Sequence, residues 1–554
     1  MDRRDFLTAN RRKKPAASEQ ISRNITSGIN PYSGQWTENE IVHLLKRTMF
    51  GAKKGDVDYF KTRSMSQAVD ELLNPTAPQP IPPIKEYATS TQPGTPDANI
   101  TMGATWVNDI NNDGTVQSQR RASYKKWWTG AMINQDRSIR EKLVFFWVDH
   151  FGNEVSDVGY GNWAYKQHDL IRQYSFGNFK QLIDVITKDV QMLRYLNGYL
   201  SVASAPDENY ARELMELFTL GKGPDSKYTE TDVKEAAKLL TGWQVNTATY
   251  TSTFNSGRHS SVNKTFSSFF NNTVITGRTG ATAGQLELND LLNMIFATQE
   301  VAKFIVRKFY RFFVYYTIDP ATEANVITPL ADIFRSNNYD IRPVLTALFK
   351  SEHFFDVLNQ NCYIKNPADH VIGSLREMNA AFPALTDWDT NYGMWNYFYS
   401  IMVNTGLNLH DPPNVAGMPA YYQEPLFHEI WINSDSLPKR NQFTDAMANN
   451  GYTRNNIRVA FNFVSYVQQF SNPGNPSDLI DDALKYIFRN QLSYESKKTI
   501  KTQILLSNQQ WDYYWTNAWT AYIASPTTAN FNIVNNRLKS LFQYFFNLAE
   551  YQLS

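Results

Sequence analysis

Residues Asp207–Gly221 read DENYARELMELFTLG, and this stretch decides the fold class. At about 100° per residue, Glu208, Asn209, Arg212, Glu213, Glu216 and Thr219 fall on one stripe, with Tyr210, Leu214, Leu217 and Phe218 opposite. That is an amphipathic helix with one polar and one apolar face. Asp207 is a suitable N-cap, and Gly221 suits the position just past the helix end. Arg212 stands four residues from both Glu208 and Glu216, within reach of either carboxylate. Paired glutamates beside an arginine can act as acid and base when burial separates their pKa values. The same pattern also describes a solvated, salt-bridged helix face.

The helical period recurs along the chain. Thr37 and Glu40 form a capping box ahead of IVHLLKRTMF, and Gly51 ends that helix. Helical patterns follow over 118–134, 136–151, 162–174, 178–189, 229–241, 285–316, 320–336, 340–350 and 364–381. Residues 244–285 break the rhythm with Thr, Ser, Asn and Gly and short apolar alternations, an irregular or hairpin-forming excursion. Residues 405–440 form a proline-marked loop, and Asn472-Pro-Gly-Asn-Pro476 is a linker. The expectation is a mainly α protein: a multi-helix globular core over 35–470, a short β or irregular excursion near 244–285, and a C-terminal helical segment over 477–554.

Charge and composition narrow the function classes. The 54 basic and 53 acidic residues leave a net charge of +1, which excludes the basic field of a dedicated nucleic-acid binder. Aromatic residues reach 14%, enough large rings for a core or for stacking platforms. The single cysteine, Cys362, excludes an internal disulfide and multi-thiolate zinc or iron–sulfur sites. The longest purely apolar run, Leu143–Val148, is far short of the ~20 residues of a membrane helix, so no membrane span is expected. Residues 1–34 read as a flexible basic tail. Its Arg3-Arg4-Asp5-Phe6-Leu7 is similar to a twin-arginine export signal without the apolar stretch that such a signal needs.

Two further stretches offer chemistry. Arg140–Phe151, REKLVFFWVDHF, is apolar on all sides from Leu143 onward and should be buried. Asp149 and His150 at its end must then find partners. His150 is either a satisfied core histidine or one poised for proton transfer or metal binding. No HExxH or HxH spacing occurs among the eight histidines. Asp109-Ile-Asn-Asn-Asp-Gly-Thr115 matches the first half of a calcium loop, with Asp109, Asn111, Asp113 and the Thr115 carbonyl as ligands. The twelfth position, normally an acid, is Arg120. The alternative is a plain Asn/Asp/Gly turn. Calcium is the only candidate cofactor. GxSxG, P-loop and GxGxxG motifs are absent from the sequence.

Taken together these motifs resemble a family. His43-Leu-Leu-Lys-Arg47 with Phe50-Gly51 carries the likeness, as do Arg140-Glu-Lys142, Phe146-Trp147 and His150-Phe151. So do Glu208–Gly221, Tyr228-Thr229, Leu240-Thr-Gly-Trp243 and Lys308–Phe313. Asp411-Pro-Pro-Asn-Val415, Gly417 and Trp431-Ile-Asn-Ser434 complete it. In that order they resemble the bacterial domain-of-unknown-function 1800 (DUF1800) family over about residues 37–450, with the C-terminal segment outside the pattern. Two positions depart from it. His259-Ser-Ser-Val-Asn-Lys264 stands where the family reads HDxGxK, and Met418 stands where a Trp commonly follows the glycine. The resemblance implies a mainly helical fold and an unknown activity. It also implies work in the cell envelope, at the periplasm or cell surface rather than the cytoplasm, beside a sulfatase-like protein encoded nearby.

Two function classes follow. The first is a binding or assembly module for a glycan or a partner protein, with Glu208, Asn209, His259, Asn414, Trp431 and Asn433 as binding residues. The second is a hydrolase in which Glu213 and Glu216 work with His150 as acid and base beside Arg212. If these groups converge in one pocket the enzyme gains; if the glutamates face solvent it fails. The loop His410–Ser434 should be ordered, because two prolines fix φ and Gly417 permits a sharp turn. Trp431 should point inward, and Asn414 or Asn433 should reach the glutamate stripe.

Overall fold

The capping boxes start their helices as expected. Thr37 accepts from the Asn39 amide while Glu40 reaches back to the Thr37 amide, opening α1, Glu38–Thr48. The computed structural model describes residues 25–87, 97–488 and 492–554, of which 58% of the chain is helix and 5% strand. The protein is therefore mainly α.

The helices that frame the site are α2 (Gly114–Ile133), α3 (Arg140–His150), α4 (Gly161–Tyr174) and α5 (Asn209–Glu213). They are followed by α6 (Glu230–Leu239), α7 (Ala283–Ala297), α8 (Glu300–Phe313), α9 (Trp388–Asn404) and α10 (Ser436–Asn449). The C-terminal set is α11 (Pro476–Ile487), α12 (Tyr494–Thr499), α13 (Tyr513–Ala524) and α14 (Thr528–Asn547). α5 and α12 each run on into a π-helical segment, Leu214–Thr219 and Ile500–Leu505. Such segments are rare and cluster at functional sites.

α3 is buried on every side, as its sequence demands, with Phe146 5.0 Å from Phe309 of α8 and Trp147 5.4 Å from Phe179. α2 packs between α4 and α9. The excursion at 244–285 holds two small antiparallel hairpins: Trp243–Asn246 with Thr251–Phe254, and Lys264–Thr265 with Val274–Ile275. A third, Tyr452–Arg454 with Ile457–Val459, has no strong sequence signal.

Two expectations are corrected. The tail boundary lies too late: Ile25 is buried, Tyr32 donates its amide to the Lys350 carbonyl, and Pro31 bridges Ser351. Residues 1–24, with the RRDFL stretch, lie outside the described residues. The C-terminal helices, expected as a separate segment after the Asn472–Pro476 linker, share the core of the rest of the chain. One apolar core runs from Ile41 to Tyr551. Within it Phe463 stacks on Phe542 of α14 at 4.7 Å, and Lys46 of α1 donates to the Ile487 carbonyl at 3.0 Å.

Candidate functional site

The loop after α9 is the most constrained polar segment of the molecule. It begins at Asn408 and His410, and it is seated on the C-terminal end of α3 by two glycines. A Cβ at Gly417 would lie 2.6 Å from the Asp149 carbonyl oxygen and 3.0 Å from both Asp149 carboxylate oxygens. A Cβ at Gly152 would lie 2.7 Å from the Val415 carbonyl. Gly417 also has φ +93°, a left-handed conformation open to glycine at no steric cost. The Asp149 carboxylate accepts the Met418 amide at 2.7 Å, which pins the turn.

The loop's charges are matched within the core. Lys125 of α2 pairs with Asp411 and donates to Asn408 Oδ1 at 2.9 Å. Asp411 also accepts from the Ser156 amide at 2.8 Å and its hydroxyl at 2.6 Å, and Tyr399 donates to Asn408 Oδ1 at 2.6 Å. Burial pulls the Lys125 ammonium down despite the aspartate beside it.

His410 anchors the same loop to a buried hydrogen-bond chain. Arg172 grips Glu141 through both terminal nitrogens, at 2.5 and 2.7 Å, and its guanidinium meets His168 Nε2 at 3.2 Å. A guanidinium has no acceptor, so His168 must carry its proton on Nδ1 and donate it to the Tyr124 hydroxyl, 3.0 Å away. Tyr124 then donates to His410 Nδ1 at 2.8 Å. His410 Nε2–H donates to Gln167 Oε1 at 3.0 Å, and Gln167 Nε2 donates to Asp189 at 2.8 Å. Every link points the same way, so both histidine tautomers follow by elimination. Burial holds His168 well below the usual histidine range and His410 down to about 3, which keeps both rings neutral. Burial likewise raises Asp189 to about 7.

Beside the loop lies a groove of about 520 Å³. Asn404, Thr405, Asn408, Asp411, Asn433, Asp435 and Ser436 supply its polar wall, with Met418 and Trp431 among its apolar lining. Trp431 is 4% exposed and packs inward, as expected. Asn433 Oδ1 accepts the Asp435 and Ser436 amides at the start of α10, which leaves its NH₂ as the group it can offer the groove. Asn414 pairs instead with Tyr422.

The glutamate stripe does not meet His150. Arg212 bonds Glu208 at 3.1 Å and Glu230 of α6 at 2.7 Å, and Glu216 pairs with Lys222 at 2.6 Å. Glu208 keeps 36% and Arg212 33% of its side-chain surface in solvent. Asn209 is exposed, its amide held by Asp207 at 2.8 Å. Partial burial, and then Glu216, pushes Glu213 up. His150 is buried with both nitrogens engaged: Lys308 donates to Nδ1 at 3.1 Å, and Nε2–H donates to the Phe218 carbonyl at 3.2 Å. Burial, then Lys308, lowers His150 far below its usual range. The acid–base trio of the sequence reading is thus divided between a surface ion-pair row and a core histidine. Asn414 and Asn433 make no hydrogen bond to the stripe among the described residues.

His259 belongs to another cluster. Its Nδ1–H donates to the Thr241 carbonyl at 2.9 Å, and Nε2 faces Glu287 of α7 at 3.2 Å. Lys264 meets the same glutamate at 2.5 Å, so both family positions of the excursion clasp one buried carboxylate.

The side chains of the calcium-loop reading are engaged within the chain. Asp113 caps α2, accepting the Thr115 and Val116 amides at 2.9 and 3.0 Å. Asn111 Oδ1 accepts the Asp113 amide at 2.9 Å. Asp109 is 2.5 Å from Arg120, the residue at the twelfth position, which also pairs with Asp97 at 2.8 Å. A fixed guanidinium already supplies the positive charge that a cation would bring. Among the described residues no group of three or more His, Cys, Asp or Glu is arranged to hold a metal ion, and no helix is long and apolar enough to cross a membrane.

Sequence reasoning missed Tyr124, His168, Gln167 and Asp189, which lie in ordinary helical or capping patterns without motif spacing. Lys308 was within reach, since it opens a family motif and sits on a helix whose other residues are largely apolar.

A family profile described as "Protein of unknown function (DUF1800)" matches residues 43–553. The match takes in the C-terminal helices, which the sequence reading had placed outside the pattern. No curated protein and no solved structure matches the chain.

Proposed function

The chain belongs to the DUF1800 family of proteins of unknown function, and from that premise we propose that it is a binding module whose ligand is a neutral, hydroxyl-rich glycan. The observation that carries this reading is the groove of about 520 Å³ between the His410 loop and the Trp431–Ser436 turn. That volume lies within the ordinary range of small-ligand sites. Its polar wall carries three amides and two hydroxyls, groups that both donate and accept, the chemistry that suits neighbouring sugar hydroxyls. The two carboxylates of that wall are already paired, Asp411 with Lys125 and Asp435 with Lys439. Three of the wall residues, Asn408, Asp411 and Asn433, are locked by their own hydrogen bonds, so little side-chain freedom is lost when a ligand binds.

Calorimetric titration of the full chain with a panel of neutral oligosaccharides tests this. At least one should bind saturably, and Asn433→Ala should weaken it about tenfold, about 1.4 kcal/mol. A panel without binding, or binding untouched by Asn433→Ala, overturns the reading. Capture of a partner protein through the same groove would replace the glycan with the assembly alternative. Envelope work and a sulfatase-like partner belong to the same proposal, and cell fractionation with crosslinking tests them. No observation favours a hydrolase built on Glu213, Glu216 and His150.

A further inference from the structure

We infer that the C-terminal helices carry a second binding site, for an acidic glycan whose sugar units bear isolated carboxylates. Tyr494, Lys497, Lys498 and Lys501 recur at helical spacing along α12 and its π extension, so they share one face. That face meets Ser477 and Asp481 of α11 across a concavity of about 130 Å³. Tyr494 is 75% exposed, an aromatic face held at the rim. The surface continues past the concavity: Lys501 pairs with Asp512 at 3.0 Å, and Asp512 stands between Trp511, 64% exposed, and Tyr513, 50% exposed. Large rings left in water beside lysines are unusual on a chain that buries most of its aromatic residues, and they suit stacking on the apolar faces of sugar rings.

The charge ledger selects the ligand. Lys497 pairs with Asp481 at 2.8 Å and Lys501 with Asp512, while Lys498 has no carboxylate at ion-pair distance among the described residues. Glu495 stands three residues before Lys498, about 60° from it round the helix, and makes no ion pair with it among the described residues. The face therefore carries about one uncompensated positive charge, and its two ion pairs are exposed enough to be weak and re-aimed. One free cation, Lys498, one turn from the exposed Tyr494 ring matches a single sugar carboxylate. It does not match a nucleic-acid backbone or an anionic bilayer, which demand several unpaired cations.

This site extends the glycan reading to charged sugars, and its test is kept apart from the groove. The full chain is titrated with tri-galacturonate at low and physiological salt, alongside Lys498→Glu, Tyr494→Ala and Asn433→Ala. The expected result is saturable binding that weakens with salt. It should fall at least tenfold in both Lys498→Glu and Tyr494→Ala and stay unchanged in Asn433→Ala, with circular dichroism showing all three folded. Absent binding, or binding that survives both α12 variants, overturns the inference. Loss in Asn433→Ala overturns it too, by moving the sugar to the groove. Tighter binding of single-stranded DNA or of phosphatidylserine vesicles than of tri-galacturonate overturns the assigned ligand class.

Discussion

The hydroxyl of Tyr124 lies 2.8 Å from Nδ1 of His410, across 286 residues of chain. This contact, with the bond from His410 Nε2 to Gln167, ties the loop that walls the groove to the buried chain running from Arg172 to Asp189. The loop's position is therefore set from inside the core.

Tyr124→Phe keeps the ring and deletes the link. It leaves His168 Nδ1–H and His410 Nδ1 buried without their partner. The expected cost is about 1–3 kcal/mol for the unsatisfied groups, read by urea unfolding. Hydrogen exchange should also quicken at the Met418 amide, which the loop presents to Asp149. Unchanged stability would show that the chain contributes nothing to the fold.

The same chain predicts a pH dependence. His410 is held down to about 3 in the fold by burial, against an ordinary value of about 6.5. Between those values the unfolded chain binds a proton that the folded chain does not. His410 thus favours folding fully above about pH 6.5, and the contribution is lost as pH falls toward 3. His410→Gln should flatten the stability–pH curve in that window by up to about 1.4 kcal/mol per pH unit. Parallel curves for the two proteins would contradict it.

Arg120 pairs with Asp109 in the loop at Asp109–Thr115. Millimolar calcium should therefore leave the melting temperature unchanged. Arg120→Ala should cost roughly 3–5 kcal/mol, because it strands the buried Asp97 carboxylate. A calcium-dependent rise in melting temperature in the unmodified protein would restore the calcium-loop reading.

The glutamate stripe is a surface feature. Its ion pairs are partly solvated, so Glu216→Gln should change stability by less than about 1 kcal/mol. Its effect on glycan binding in the groove should be nil. A loss of binding would place the stripe in the site after all.

The fold class was legible because helical period and capping are local. Thr37 with Glu40, the apolar girdle of Leu143–Val148 and the amphipathic Asp207–Gly221 each report their own conformation within a few turns. The family likeness was legible for the same reason, as ordered short motifs. His150 was correctly read as a histidine requiring a buried partner, since an apolar helix offers none of its own. Its partner Lys308, 158 residues on, could not be read from spacing.

What the sequence by itself determined was the helices, their buried faces, and the rigid turn built by Pro412, Pro413 and Gly417. Only the tertiary structure decided which polar groups share a site. Whether a carboxylate is an acid–base group or a solvated ion depends on what packs over it. Arg212 found Glu230 on the next helix and stayed in water, while Asp149 lay against Gly417 and took the Met418 amide. Helix period fixes which residues share a face. It does not fix which face of another helix, hundreds of residues away, comes to cover it.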